Sequence, residues 1–314
     1  MLTGGVHEQR QPVHERLAEA LGLTGHRRAL LGRWLTIGAF LSPALAALIV
    51  LRLWPLVSVV ISSLQYTPLD GSPPHFAGLR AFRLLVDDPG FWSGLQATAL
   101  FNVLVNPFQV VIALALAVLL SQRLPLVGVW RTLVFLPVAV PEAVSAVIWG
   151  VAYRQSGPIN GFLALLHVPG QRFLTSPTQA LPSIIMLVSW VGVGYWMVFL
   201  VAGLQDIPRD YYEAAALDGA GAWARFLHIT LPLLRRPLVF VLVSDTIANS
   251  LDFAPVQILT QGGPNNTTNF LMYDIFNRAY QSGDINGASA ETVVLIVLLI
   301  AVIGAQFRLL RPQE

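Results

Sequence analysis

Three polar residues within one apolar segment are the first candidates for chemistry in this chain. Asp245, Asn249 and Asp252 stand at i, i+4 and i+7 in the segment 237–260, so a helix would present all three on one face. Charged groups inside a membrane are costly and normally face a water-filled path or a partner. Carboxylate and amide groups also suit the hydroxyl groups of a sugar. The alternatives are a packing network between helices and an ion pair with another subunit.

Two further apolar segments hold candidate binding residues. Trp190, Gly192 and Tyr195 offer an aromatic face beside a gap without a side chain, and an aromatic ring stacks on the apolar face of a sugar. Glu142 lies in the middle of another apolar segment, bracketed by two prolines, with Ser145 one turn later. Kinking prolines beside a buried carboxylate indicate a cavity lining. Packing between helices would explain both groups equally well.

Nothing in the sequence predicts catalysis. The chain has no cysteine and no lysine, which excludes disulfides, thiolate chemistry, Schiff bases and a P-loop. His14-Glu15 begins a zinc-protease string, but Ala18 stands where the second histidine is required. We therefore expect no catalytic residue, no metal ligand and no cofactor, and an intramembrane enzyme is a remote alternative.

The composition predicts an all-α polytopic membrane protein. Hydrophobic residues make up 55% of the 314 residues, charged residues 11%, and the mean hydropathy is +0.64. Such a chain has room for about six spans of ~20 residues. We predict spans at roughly 34–64, 93–120, 129–153, 181–204, 237–260 and 289–307.

The arginines predict the orientation of these spans. With both termini inside, thirteen of the nineteen arginines fall in inner segments and five in outer loops, with Arg52 left over in the first span. This excess on one side places both termini in the cytoplasm. The expected organisation is a cytoplasmic tail at 1–33, one transmembrane domain at 34–308 and a short cytoplasmic tail at 309–314.

The stretch that connects the fourth and fifth spans, at 206–232, is a polar island. We predict a helix capped by Asp206, a turn at Gly219 and a second short helix that ends at Pro232. The alanines at 214–216 give the first helix a thin face, which another protein can approach closely.

A known motif occupies this island. Glu213-Ala214-Ala215, Gly219 and Ile229-x-Leu231-Pro232 reproduce the spacing EAA-x3-G-x9-I-x-L-P. In this the chain resembles the permease subunits of binding-protein-dependent ABC importers, in particular the branch of maltose- and glycerol-3-phosphate-type permeases. The segment Leu-Thr-Gln-Gly-Gly-Pro at 259–264 is similar to the outer end of span five in that branch.

The resemblance implies an ABC importer permease fold and a bacterial cell membrane protein. Its expected partners are a second permease, ABC ATPase subunits that hydrolyse the ATP, an extracytoplasmic solute-binding protein and membrane lipid, but no nucleic acid. The ATPase would dock on Asp210, Glu213, Ala214, Ala215, Asp218 and Gly219, and a sugar or oligosaccharide would bind the polar residues of the spans. Glycerol phosphates or polyols are alternative substrates. An ion-coupled secondary transporter with Glu142 and Asp245 as proton sites is a different reading, which leaves the EAA motif without a role.

Overall fold

The computed structural model describes residues 25–68, 72–122 and 125–310, and the chain divides into two units, 1–61 and 62–314. In the first unit, α1 spans Gly25–Leu48, a π-helical turn covers Ile49–Leu53, and α2 spans Trp54–Ser63. The stretch Thr36–Ser63 is long and apolar enough to cross a membrane, in agreement with the predicted first span. Residues 1–24 of the predicted N-terminal tail and 311–314 of the C-terminal tail lie outside the described residues.

The second unit is almost entirely helical. It opens with two short antiparallel strands, β1 (Gln65–Tyr66) and β2 (His75–Phe76), in which Gln65 faces Phe76. The helices that follow are α3 Arg80–Val86, α4 Pro89–Leu120, α5 Val127–Phe135, α6 Glu142–Ala152, α7 Pro158–Leu165, α8 Ala180–Gln205, α9 Arg209–Leu217, α10 Ala222–Arg225, α11 Leu231–Leu233, α12 Arg235–Ser250, α13 Ala254–Leu259, α14 Leu271–Phe276 and α15 Ile285–Leu309.

The described residues contain five helices that are long and apolar enough to span a membrane. They are Thr36–Ser63, α4, α8, the stretch Arg235–Leu259 that combines α12 and α13, and α15. A sixth span results if the pair Val127–Ala139 and Glu142–Ala152 is counted as one. The predicted set of about six spans is therefore confirmed, with boundaries that shift by a few residues.

The predicted third span is wrong in one respect, because it is not one continuous helix. Its two halves meet at an angle of 97°. Pro141 has no N–H for a helical hydrogen bond and pushes the preceding residue out of the helical region, and Val140 is accordingly extended (φ −88°, ψ 125°). The break places Glu142 at the first position of α6 instead of in the middle of a span.

Helices α4, α8 and α12 pack together around small and aliphatic side chains. One buried cluster joins Ala113 and Ala117 of α4 to Met197 and Leu200 of α8 and Val241 of α12. A second buried cluster lies nearer to the N-terminal ends of α4 and α8. In it, the rings of Phe101 and Phe270 stack with their centroids 4.5 Å apart. These three helices form the frame on which the polar side chains of the spans are held.

The segments between the predicted spans contain ordered elements and a cluster of ion pairs. Strands β1 and β2 and helix α3 lie between the first two predicted spans, and α14 lies between the last two. Arg278, which follows α14, pairs with Asp88 at the start of α4, and its Nε lies 2.8 Å from Asp274 and from Glu291 of α15. Burial alone would raise the pKa of Asp88, but hydrogen bonds from Arg278 and the Gly90 N–H lower it below the usual value. The cluster fixes the beginnings of α4 and α15 relative to α14.

Candidate functional site

A cavity of about 410 Å³ opens among α4, α8, α12 and the start of α6. Its polar lining comes from four helices: Gln109 from α4, Glu142 from α6, Tyr195 and Trp196 from α8, and the group Asp245, Asn249 and Asp252 from α12 and the turn after it. Aliphatic side chains and Gly192 complete the wall. A cavity in which several polar side chains converge within an apolar wall is the best candidate for a binding site in the part of the chain that the structure describes.

Asp245 is almost fully enclosed in the wall of the cavity, with 1% of its surface exposed. Its Oδ1 accepts a hydrogen bond from the indole Nε1 of Trp196 at 2.5 Å and another from Nδ2 of Asn249 at 3.1 Å. Its Oδ2 has no hydrogen-bond partner among the described residues. Two donors therefore hold Oδ1 in place, while Oδ2 keeps its acceptor positions unused among the described residues.

Gln109 brings a third donor to Asp245 from the neighbouring helix. With its amide nitrogen turned toward Asp245, Gln109 donates to Oδ1 at 2.6 Å, and its oxygen accepts from the Ser189 N–H at 3.3 Å. Gly192 makes room for this side chain, because a Cβ at position 192 would lie 2.9 Å from the Gln109 amide. The side-chain gap expected at Gly192 is thus filled by a residue of α4.

A buried polar network behind the cavity holds three helices together. Asn249 donates from Nδ2 to Oδ1 of Asn106 at 2.8 Å, and Asn106 donates to Oγ1 of Thr246 at 3.0 Å. Gln306 of α15 donates to the same Thr246 hydroxyl at 2.8 Å. Because these amides donate to side chains of neighbouring helices, the network fixes Asn249 in place and ties α12 to α4 and α15.

Asp252 and Glu142 form an acidic part of the cavity wall. Asp252 is 8% exposed, and neither of its carboxylate oxygens completes a hydrogen bond with the described residues. The carboxyl group of Glu142 and the Phe253 N–H lie near it. Two carboxylates are thus brought together without a basic partner in the cavity lining.

The polar island between α8 and α12 folds as a helix, a turn and a second helical stretch. At the end of α9, the N–H of Gly219 bonds to the Ala216 carbonyl at 3.1 Å, and the N–H of Ala220 bonds to the Ala215 carbonyl at 2.8 Å. This is a Schellman motif, and Gly219 adopts the left-handed conformation (φ +80°) that it requires. The predicted turn at Gly219 is confirmed.

The predicted cap at Asp206 is wrong. Helix α8 continues to Gln205, and Asp206 is the residue that follows its C-terminus. The residue that precedes α9 is Pro208, whose extended backbone (φ −58°, ψ 135°) starts the helix without a side-chain hydrogen bond. The preceding helix ends at Gln205, one residue later than expected, so Asp206 stands at its C-terminal end instead of at the start of α9.

Helix α9 has no buried residue. Asp210, Glu213, Ala214, Asp218 and Gly219 are exposed, and Ala215 is half-buried. Two large apolar side chains frame this surface, since Leu217 is 90% exposed and Trp223 is 70% exposed. An exposed helix with a small alanine face and an apolar rim is typical of a surface that contacts another protein.

A family model described as "Binding-protein-dependent transport system inner membrane component" matches residues 109–313, which include the cavity and the polar island. The chain belongs to this family. It is therefore a membrane component of a transport system and a multi-pass inner membrane protein, as its helices also indicate.

Named relatives of this transport component align over most of its length. The lactose transport system permease protein LacF of Rhizobium radiobacter is 33% identical over 270 residues, covering 84% of this chain and 90% of the relative. The sn-glycerol-3-phosphate transport system permease protein UgpA of Pectobacterium atrosepticum is 31% identical over 288 residues, covering 91% and 97%. The fold is shared with a chain of a bacterial ABC transporter involved in the import of the acidic polysaccharide alginate, with a TM-score of 0.78 at 19% identity over 90% of this chain and 96% of that one.

Most of the residues that the sequence singled out in the spans of this transport component line one cavity, but two do not. Trp190 points to the far side of α8, where its ring meets that of Trp149 edge-on at 5.8 Å. The reason is helical geometry, because Trp190 lies two positions, or about 200°, from Gly192. Ser145 is fully buried further along α6, is absent from the cavity lining, and its hydroxyl has no partner among the described residues.

Sequence reasoning missed Gln109 and Asn106. Both lie in the second span, where Asn102, Asn106 and Gln109 repeat the i, i+4, i+7 spacing that drew attention to Asp245 and its neighbours. The same signal would have found them. Trp196 was also missed, because a tryptophan in an apolar span gives no sign that its N–H meets a carboxylate.

Proposed function

We propose that this chain is a permease subunit of an ATP-driven importer that carries a sugar or oligosaccharide, delivered by an extracytoplasmic binding protein, across the membrane. The observation that carries the proposal is the cavity among α4, α6, α8 and α12, where carboxylate, amide and aromatic groups meet inside an apolar unit. Such groups recognise a hydroxyl-rich ligand, whereas an apolar cargo would leave them unpaired. The relative named as a lactose permease supports a sugar as the cargo.

The energy would come from a separate ATPase. The chain has no lysine and therefore cannot form a P-loop of its own. Helix α9 offers the docking surface, with Glu213 as a polar anchor, Ala214 and Ala215 as the close-contact face, and Gly219 as the turn. Its exposure and its apolar rim support this role.

The excess of arginine on one side of the spans supports a cytoplasmic position for α9, for the tail 1–33 and for the tail 309–314, with the domain 34–308 between them. A second permease would complete the path, because rigid-body movement of one helical bundle against another gives alternating access to a site between them.

A glycerol phosphate is the second candidate substrate, since one relative is named for sn-glycerol-3-phosphate transport. The cavity argues against it. Its lining contains the carboxylates Glu142, Asp245 and Asp252 and no basic residue. Two like charges ~4 Å apart repel by about 4 kcal/mol at an effective dielectric of 20. A substrate without a negative charge fits this lining better.

The test is transport by the whole assembly. The complex of this chain with its second permease, ATPase and binding protein is reconstituted in liposomes, and uptake of radiolabelled sugars is followed with and without ATP. We expect uptake that requires both ATP and the binding protein. Uptake that runs on a proton or sodium gradient without ATP would instead establish the ion-coupled alternative that uses Glu142 and Asp245.

A further inference from the structure

The lining of the cavity contains acidic side chains and no basic side chain that could pair with them. Among its lining residues, Glu142, Asp245 and Asp252 carry carboxyl groups, and none is Lys, Arg or His. The remaining polar side chains are the amides of Gln109 and Asn249 and the two aromatic residues of α8. Arg278 forms ion pairs with carboxylates, but these belong to a different cluster, at the start of α4 and α15.

Two of these lining residues have buried carboxylate oxygens without a donor. Oδ2 of Asp245 and both oxygens of Asp252 are buried and unpaired among the described residues. Asp245 is 1% exposed and Asp252 is 8% exposed, so bulk water does not replace the missing donors freely. Buried carboxylates are normally paired or hydrogen-bonded, so these oxygens indicate a ligand that supplies both donors and positive charge.

A metal ion does not fit this arrangement. Among the described residues, no group of three or more His, Cys, Asp or Glu side chains converges closely enough to hold one. The carboxylates are instead spread around a volume of about 410 Å³, which is the size of a site for a small organic molecule. Tyr195 and Trp196 stand in the same wall, and aromatic faces attract organic cations.

We propose that the cavity recognises a saccharide that carries a protonated amino group. This inference rests on the proposed function and makes its substrate class narrower. The ammonium group donates to Asp252 and Glu142, which meet without any basic partner. Asp245, held by Trp196 and Asn249, accepts from a hydroxyl group of the same ligand through its free Oδ2.

The test uses three disaccharides that differ at the 2-position of each ring. Chitobiose carries a protonated amine there, N,N′-diacetylchitobiose a neutral amide and cellobiose a hydroxyl group. Their binding is measured at neutral pH to the assembled importer in nanodiscs, without the binding protein, so that selection by that protein does not enter. Because hydrogen bonds to charged groups are the stronger ones, we expect chitobiose to bind about tenfold or more tighter than cellobiose.

Two variants connect this preference to the carboxylates. Asp252→Asn and Glu142→Gln keep the size of the side chains and remove their charge, and we expect each to bring the chitobiose-to-cellobiose ratio close to one. The matched control is Asp87→Asn, which removes an exposed carboxylate after α3, away from the cavity. The control is expected to keep the wild-type ratio. Cellobiose binding and complex yield are measured for every variant, so that a folding defect is recognised.

The outcomes separate this inference from the proposed function. Cellobiose binding that equals or exceeds chitobiose binding overturns the amine preference and leaves a sugar importer intact. A strong chitobiose preference that survives both Asp252→Asn and Glu142→Gln overturns the assignment to these carboxylates. If the complex binds no disaccharide and liposomes import no sugar with the binding protein present, both the inference and the proposed function are contradicted.

Discussion

The indole of Trp196 donates a 2.5 Å hydrogen bond to the Asp245 carboxylate, joining α8 to α12 at the wall of the cavity. Both residues are nearly enclosed, with 5% and 1% of their surfaces exposed. In a site of low polarity a hydrogen bond to a charged acceptor is strong, and its loss leaves a buried carboxylate short of a donor. The bond fixes which oxygen of Asp245 remains free for a ligand.

Replacing Trp196 by Phe keeps most of the ring and removes the donor. The buried carboxylate then lacks one partner, so we expect the free energy of unfolding to fall by about 1–3 kcal/mol and the sugar concentration for half-maximal uptake to rise. Thermal unfolding of the purified complex and uptake in liposomes measure the two effects. Trp190→Phe is the comparison on the same helix, and its ring contacts Trp149 outside the cavity. Equal effects on uptake from both substitutions would contradict the placement of the site.

Asn249 connects the cavity to the network behind it. Its Nδ2 lies within hydrogen-bond distance of Asn106 and Asp245, at 2.8 and 3.1 Å. Asn249→Ala removes one donor from each of these buried acceptors, and we expect roughly tenfold weaker apparent affinity for the sugar with normal complex yield. Ser244→Ala is the control on α12, because Ser244 is not part of the cavity lining. If the variant assembles poorly but transports with normal affinity, Asn249 is an assembly contact and not part of the site.

Gly192 is required where α8 passes the Gln109 side chain. A methyl group there would lie 2.9–3.1 Å from the Gln109 amide, so Gly192→Ala must push that side chain away from Asp245. Since the end of a glutamine side chain moves easily, we expect little loss of stability and a several-fold loss of apparent sugar affinity. Gly128→Ala in α5 is the matched control, with no atom within 4 Å of the added carbon. Wild-type affinity in Gly192→Ala would show that the position of Gln109 does not matter for binding.

The turn after α9 gives a test of the docking surface. Gly219 has φ +80°, where a residue with a side chain is strained by about 1–2 kcal/mol, and it stands in open space. We expect Gly219→Val and Glu213→Lys to reduce co-purification of the ATPase and to abolish ATP-driven uptake, while sugar binding to the permease is retained. Gly221→Ala is the control, because Gly221 has an ordinary φ of −67° and also stands in open space. Normal uptake in both Gly219→Val and Glu213→Lys would refute docking at this surface.

The sequence predicted those parts of the fold and the site that depend on local patterns. The lengths of the apolar segments located the spans. The spacing of Asp245 and Asn249 placed these two residues on one face of a helix. The spacing of the EAA motif located the turn at Gly219. Each of these follows from helical periodicity or from the backbone requirement of a single residue.

The rest depends on which helices become neighbours, and no local pattern carries that information. The partnership of Trp196 with Asp245 and the entry of Gln109 into the gap at Gly192 arise from packing between α4, α8 and α12. The 97° break before Glu142 was visible only as two prolines, which indicate a kink but not its angle. The Arg278 cluster joins residues almost two hundred positions apart in the chain.

The orientation of the spans is tested by labelling single cysteines, which is straightforward because the native chain has none. Ala222 lies in the segment between α8 and α12, and Ser282 lies between α14 and α15; both are exposed. These segments flank the span Arg235–Leu259 at its opposite ends, so a cysteine at each site must react from opposite sides of the membrane. We expect Ala222→Cys to react with a membrane-impermeant thiol reagent only from the cytoplasmic side, and Ser282→Cys only from outside, because the arginine excess lies on the side of α9. Uptake by each variant confirms that the complex is intact. The reverse labelling pattern would place α9 outside the cell, where no ATPase could dock on it.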